Sequence, residues 1–475
     1  MLNLQRNLTM NQKKSVLELL ADARSIASQS PARQKLLRLF DQGTFVETGV
    51  YVTRHAFHPS MNLNDELEGI VTGYGSINGA LTYAFAQDQS RMHGAIDENH
   101  AKKIESLYHL ALSNGAPVIG IFDCSGASVF EGVSAMAAYG KILAAVTEAS
   151  GAIPQIAIVD GPATGTLAAI VAMFDFILES DKANLYVVHP SLSGKDESVE
   201  LSSLSGNLEQ CLGYARLLVD KLPAVCDAAA GENAIIDDPN RPMYAGDFDN
   251  GVKNLLANLF DSTSLLEVNA SDENASITAL ATLGGVCCGV VATDSKIKAG
   301  KLSAYDCRKI SRFVRFCNAF EIPVVTIVDS EGLSTENTDT SFASELARLA
   351  QSYSSAGIPL ATVYVGNAIG SSYILLGSKA VGGDIVYALP NAVIGAIPAK
   401  SAVAFAKNQE VTSQDKRAQL EEEWNQEVAS SLAAACYGEI DDIINPAELR
   451  ARLCSALYMM RGEGPSEKIG AIDTF

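Results

Sequence analysis

The sequence predicts an α/β protein built from two tandem copies of one domain. Three observations carry that reading. The stretch 153–176, IPQIAIVDGPATGTLAAIVAMFDF, joins a Pro-led apolar segment at 156–159 to a breaker cluster, Asp160-Gly161-Pro162, and then to a small-residue helix start after Thr164-Gly165-Thr166. A second such stretch lies downstream, where 358–365 is again Pro-led and apolar and Gly366 to Ser372 leads into YILLGSK. The spacing holds: 359 less 154 leaves 205, and so does 370 less 165. Two further pairs keep the same order, NGAPVIGIFDCSGA (114–127) with FEIPVVTIVDSEGL (320–333), and LFDQGTFVE (39–47) with LFDSTSLLE (259–267).

Taken in order, Asn11 to Phe40 reads as helices, with leucines 17, 19, 20, 36, 37 and 39 at roughly helical spacing. Glu68 to Asp88 reads as strand, Asn78-Gly79 turn, strand, a strong hairpin signal. Ala95 to Ser113 is a helix, VIGIFD a strand that breaks at Asp123, and Phe130 to Val146 a second helix. The strand opening at Pro154 ends at the breaker cluster. Asp181 to Gly206 is polar and loop-like, and Leu208 to Leu222 is helical. Ala228 to Asp247 has the composition of a linker, which places the domains at 1–240 and 241–475. The second half repeats the plan with a weaker hairpin at Gly284-Gly285 and a basic helix from Tyr305 to Phe320. A charged helix, Ser413 to Ala435, and a final helix, Pro446 to Arg461, close the chain.

Bulk properties exclude several classes of function. With 48% apolar and 19% charged residues over 475, the chain has ample material for large cores and is not disordered. A net charge of -20 argues against nucleic acid or an anionic membrane as partner. No apolar run reaches the ~18 residues of a membrane span, and the opening MLNLQRNLTMNQKK has no apolar signal core, so a cytoplasmic location is expected. The nine cysteines form no CxxC and the six histidines no HExxH, so no metal is expected.

A strand that hands over to a helix leaves backbone N–H groups without intrahelical partners. Such groups suit an anion, or a carbonyl about to become an oxyanion. One turn of this kind is ordinary in α/β proteins; a second at matched spacing makes the pair a candidate site.

The quoted residues resemble a known family. LFDQGTFVE, VTGYGSINGAL (71–81), Ala86-Gln87-Asp88, HAKKI (100–104), NGAPVIGIFD, Glu131-Gly132-Val133 and SGAIPQIAIVDGP (150–162) look like the carboxyltransferase subunits of biotin-dependent acyl-CoA carboxylases, and equally like the decarboxylases acting on methylmalonyl-CoA or glutaconyl-CoA. RFVRFCNAFEIPVVTIVD (312–329), GSKAVGGDIVYALPNAVIGAI (377–397) and YGEIDDIINPAELR (437–450) continue it through the second half. The resemblance implies two crotonase-like ββα-spiral domains, an active site shared between the first half of one subunit and the second half of another, and a homo-hexamer arranged as a trimer of dimers. It also implies an acyl-CoA substrate, no metal, and biotin arriving in trans on a carrier protein, with biotin carboxylase or sodium-pump decarboxylase subunits as further partners. The implied chemistry passes a carboxyl group from carboxybiotin to the carbon beside the thioester, through enolates held in two backbone holes. On this resemblance Gly165 and Thr166 fall on the thioester hole, and Gly370, Ser371 and Ser372 on the biotin-side hole. Ser125, Gly126 and Ala127 fall on the turn beside the CoA thioester, with Gly332 and Leu333 on its counterpart.

The chain also departs from the family pattern. Paired glycines become Gly165-Thr166, Gly-Gly-Ala becomes Gly370-Ser371-Ser372, DSGGAR becomes 123–128 DCSGAS, DxPGFxPG becomes 329–334 DSEGLS, and the loop after His189 is shortened. A β-branched Thr166 is strained if its φ is positive, and the serine hydroxyls compete for the amides if they cap the helix. Two other readings therefore stand beside the first. One is a non-catalytic assembly paralogue; the other is a biotin-independent crotonase-like hydrolase or hydratase, which needs carboxylates such as Glu131 and Glu331.

Overall fold

The computed structural model describes residues 16–54, 67–129, 131–188, 194, 198, 201–222, 237–336 and 340–460. Residues 11–15, Phe130, the loop that starts at His189, linker residues 228–236 and Arg461, all used in the sequence reading, lie outside them. The chain forms two compact units, Met1–Cys226 and Asp227–Phe475. The division falls ahead of the position near 240 drawn from composition. Asp237 already belongs to the second unit, where its carboxylate accepts the Ser262 amide at 2.8 Å, and the Asp238 carbonyl accepts Arg450 Nε at 3.1 Å.

In the first unit, helices Val16–Ser28 and Pro31–Leu39 precede the strands β1 (Val46–Thr48), β2 (Ile70–Ile77) and β3 (Ala80–Gln87). Helix Glu98–Asn114, β4 (Val118–Cys124), helix Val133–Ala149, β5 (Gln155–Thr164) and the short helix Thr166–Ala172 follow. The strands β6 (Phe176–Ser180), β7 (Asn184–Tyr186) and β8 (Leu204–Gly206) and helix Leu208–Lys221 complete it. The second unit runs β9 (Leu266–Val268), β10 (Ser276–Leu283), β11 (Val286–Thr293), helix Ala304–Ala319, β12 (Val324–Ser330), helix Thr340–Ser354, β13 (Leu360–Ile369), helix Ser371–Leu375, β14 (Ile385–Ala388), β15 (Val393–Gly395) and β16 (Asp442–Ile443).

The two sheets are copies. One has the order β1-β2-β3-β4-β5-β6-β8 with β7 on β5; the other, read from its far edge, is β9-β10-β11-β12-β13-β14-β16 with β15 on β13. Both open with the same hairpin, Ile77 facing Ala80 across Asn78-Gly79 and Leu283 facing Val286 across Gly284-Gly285. All four turn residues have positive φ, the geometry that a two-residue turn between twisted strands requires. The mixed α/β architecture is the one read from the sequence.

Three elements differ from that reading. Strand β5 does not stop at Asp160-Gly161-Pro162 but runs on to Thr164. Its first part pairs with β6 and its last three residues with β7, and the register against β4 shifts between Phe122 and Cys124. The breaker residues sit at that irregularity, where a missing N–H is tolerated. The polar stretch 181–206 supplies the strands β7 and β8. The charged helix after Ser413 is two helices, Gln414–Glu427 and Ser431–Cys436.

Each unit encloses its own apolar core. In the first, Phe85, Phe122 and Phe174 pack edge to face with ring centroids 5.4 Å apart at both contacts. Every residue of β4 is buried, as expected of a strand covered on both faces.

Candidate active site

The strand-to-helix turns have almost the same backbone in both units. Gly165 has φ 63°, ψ -128° and Gly370 has φ 59°, ψ -127°, a conformation that side chains disfavour. Each glycine amide is already used: Gly165 donates to the Tyr186 carbonyl and Gly370 to the Gly395 carbonyl, both at 2.8 Å. The glycines therefore set the turn rather than donate from it. The next amides, those of Thr166 and Ser371, begin short helices and have no acceptor among the described residues.

The strained alternatives are absent. Thr166 and Ser371 are not among the positive-φ residues, so the β-branched side chain rests in ordinary helical backbone. No serine caps the second helix. Ser372 is buried, and its hydroxyl donates to the carbonyls of Ile369 (2.9 Å) and Ser330 (3.2 Å) instead of accepting from an amide.

Beside each helix start lies the turn that follows β4 or β12. The Ser125 amide donates to the His93 carbonyl, and the Gly126 and Ser128 groups bracket Ile96. In the second unit Glu331 donates to the Ala299 carbonyl, and Gly332 and Ser334 bracket Leu302 in the same way. Both glycines again have positive φ, 137° and 112°. This pattern leaves the Ala127 and Leu333 amides without an acceptor among the described residues. Register brings each turn next to its helix: Cys124 is level with Ala163, and Ser330 with Ala368. Thus the structure gathers Ser125–Ala127 with Gly165–Thr166 in one unit, and Gly332–Leu333 with Gly370–Ser372 in the other. Each cluster thus sets two unpartnered amides on neighbouring turns, donors of the type that suits a developing oxyanion.

Other candidates are otherwise engaged. The Glu131 carboxylate accepts the Glu98 amide at 3.1 Å, and Glu331 pairs with Lys301 at 3.6 Å. They lie in different units, and neither unit holds them as a pair. His100 is fully buried between Gln87 and Glu68, and burial pushes its pKa down to about 3. The basic helix Ala304–Ala319 is partly internal: Lys309 is buried, donates to the Ser276 carbonyl at 2.8 Å, and burial lowers its pKa to about 8. Lys103 does the same with the Ile70 carbonyl at 2.7 Å, again at about 8. The sequence reading missed this matched pair, although 309 less 103 equals the 206 that separates Asp123 from Asp329. Among the described residues no His, Cys, Asp and Glu group is arranged to hold a metal, and no helix is long and apolar enough to cross a membrane.

The carboxyl transferase domain family matches residues 28–203 and 235–465. The chain belongs to that family. It is 32% identical over 474 residues to the propionyl-CoA carboxylase beta chain of Roseobacter denitrificans, covering 93% of this chain and 92% of that one. To the methylmalonyl-CoA decarboxylase alpha subunit of Veillonella parvula it is 34% identical, covering 90% and 89%. Among solved structures, a transcarboxylase 12S crystal structure described as a hexamer assembly, with methylmalonyl-coenzyme A and methylmalonic acid bound, superposes with a TM-score of 0.88 at 27% identity, covering 97% of this chain and 98% of that one. The family read from the motifs and the two-domain fold it implied are those found.

Proposed function

We propose that this carboxyl transferase domain protein moves a carboxyl group between biotin on a separate carrier and the α carbon of a small acyl-CoA, as carboxylase or decarboxylase subunit. One observation carries the reading: both units repeat a glycine-set turn beside two unpartnered amides. One cluster then holds each of the two oxygens that must bear charge during the transfer.

Ala127 and Thr166 hold the thioester oxygen in the first unit. Their N–H groups strengthen as charge develops there, which lowers the barrier to removing the α proton. Leu333 and Ser371 serve the single carbonyl-type oxygen of biotin's urea ring, as neutral donors on neighbouring turns suit an oxygen that carries charge only during the transfer. Carboxybiotin, when bound, supplies the carboxyl carbon and, once that is released, the base. The chain's residues then need supply no acid or base of their own. The relatives' names point to propionyl-CoA and methylmalonyl-CoA as the substrates of this chain, and the hexamer of the transcarboxylase neighbour to a homo-hexamer here.

The test is transfer of labelled carboxyl from methylmalonyl-CoA to free biotin or a carrier, with acetyl-, propionyl- and malonyl-CoA as competitors in calorimetry. Thr166→Pro, which deletes one donor, is expected to lower kcat by ~10²–10³ with the fold intact by circular dichroism. No binding of any of the four thioesters overturns the enzyme reading in favour of an assembly role.

A further inference from the structure

The duplication gives each unit an internal control, and one buried cluster breaks the symmetry. In the second unit Asp329, at the end of β12, accepts the Asn367 amide at 2.8 Å. Its counterpart in the first unit is Asp123, and the residue matching Asn367 is Pro162, which has no N–H to give. The close packing is otherwise the same: a Cβ on Gly161 would come within 2.1 Å of Asp123 Oδ1, and one on Gly366 within 2.2 Å of Asp329 Oδ1.

Asp123 Oδ1, the oxygen such an amide would reach, is buried with no hydrogen-bond partner among the described residues, and Lys35 reaches the other carboxylate oxygen from helix Pro31–Leu39. Its ammonium donates to Asp123 Oδ2 at 3.1 Å and pairs with Asp160 Oδ2 at 2.7 Å. The Lys35 and Asp123 side chains are only 11% and 12% exposed, and that of Asp160 1%. In the second unit Asp329 lacks both of these charged neighbours: Leu255 stands for Lys35 and Val365 for Asp160, both packed into or against its core. The fold itself therefore does not require a buried ion cluster here, and burying one carries a desolvation cost that an apolar pair avoids.

We propose that Lys35 is a positioning residue for the acyl-CoA hole, clasping the ends of β4 and β5 from which the two donor turns spring. Asp123 directly precedes the turn Cys124–Ala127, and Asp160 lies on the strand that ends beside Gly165. Without the ammonium the two largely buried carboxylates repel, and the Ala127 and Thr166 amides part. This rests on the carboxyl-transfer reading above. The clasp also lines a cavity of about 780 Å³ with Pro162 and Lys182, so a direct contact between Lys35 and a ligand is the alternative to be separated.

The experiment compares wild type, Lys35→Leu, Lys35→Arg and the triple variant Lys35→Leu, Asp160→Val, Pro162→Asn, which installs the second unit's own arrangement. Lys35→Leu is expected to lower kcat roughly tenfold to a hundredfold, as a misaligned site does, with the calorimetric Kd for acyl-CoA and the KM for carboxybiotin nearly unchanged. Lys35→Arg and the triple variant are expected to recover most of kcat, because either restores a donor to Asp123 without an orphaned charge. Should Lys35→Leu fail to fold, Asp160→Asn gives the same reading, a fall in kcat at constant Kd. Unchanged kcat in Lys35→Leu or Asp160→Asn overturns the proposal, as does a triple variant that folds but no longer binds acyl-CoA. A wild type inactive with every thioester overturns instead the reading on which it rests.

Discussion

At the residue scale, the hole depends on two glycines whose backbone no other residue adopts cheaply. Gly165→Ala introduces a Cβ into open space, so its penalty is the backbone alone, about 1–3 kcal/mol. Gly370→Ala adds a contact 3.1 Å from the Ala396 carbonyl oxygen and is expected to cost more. Urea melts of the two variants check the order. His100 offers a pH test. Its folded pKa of about 3 lies below the ordinary value of 6.5 because burial disfavours the charged ring. The unfolded chain therefore takes up a proton first as pH falls from 6.5 towards 3, and the folded state loses stability over that window. Asp97, raised to about 6 mainly by burial, acts in the opposite sense between about 6 and its ordinary value of 3.8. The stability difference between wild type and His100→Gln is thus expected to shift steadily against the wild type on acidification. A flat difference contradicts the burial argument.

At the element scale, the same clamp secures both helix-to-strand entries. Arg216 donates to the Leu39 carbonyl and Asp41, both at 2.7 Å, and Arg450 donates to the Leu259 carbonyl and Asp261, both at 2.5 Å. Their surroundings differ: the Arg450 side chain is fully buried and that of Arg216 29% exposed. Arg450→Leu leaves Asp261 as an unpaired buried charge and is expected to cost about 3–5 kcal/mol, while Arg216→Leu costs clearly less, because water screens its partner. Denaturant midpoints of the two variants decide it. Neither clamp was legible in the sequence, since Arg216 and Arg450 lie far along the chain from the loops they hold. The hairpins were legible because Asn78-Gly79 and Gly284-Gly285 signal their turn locally. The course of β5 was misread for the converse reason: Asp160-Gly161-Pro162 looks like a stop, and only its pairing with β7 overrides it.

At the scale of the whole molecule, repetition was the strongest signal in the sequence. It was visible because apolar strand runs such as VIGIFD and VVTIVD keep their order and spacing even where few residues are identical. What repetition could not reveal is which divergences matter, since the role of Lys35 against Leu255 shows only once helix Pro31–Leu39 and its counterpart Val252–Leu259 are seen packed in place. The homo-hexamer proposed from the neighbour's assembly is tested by mass photometry, where a species near six times 50.2 kDa is expected at micromolar concentration. A species at 50.2 kDa alone contradicts it.

The short strands β7 and β15 have a consequence for timing. Because they hold the Gly165 and Gly370 amides before any substrate arrives, the pocket does not have to assemble itself during turnover. Hydrogen–deuterium exchange should show this directly: Gly165 and Gly370 slow with or without ligand, Thr166 and Ser371 fast when empty and slowed once acyl-CoA or biotin is in place. If the glycine amides exchange freely in the empty protein, the receptor is made by its guest.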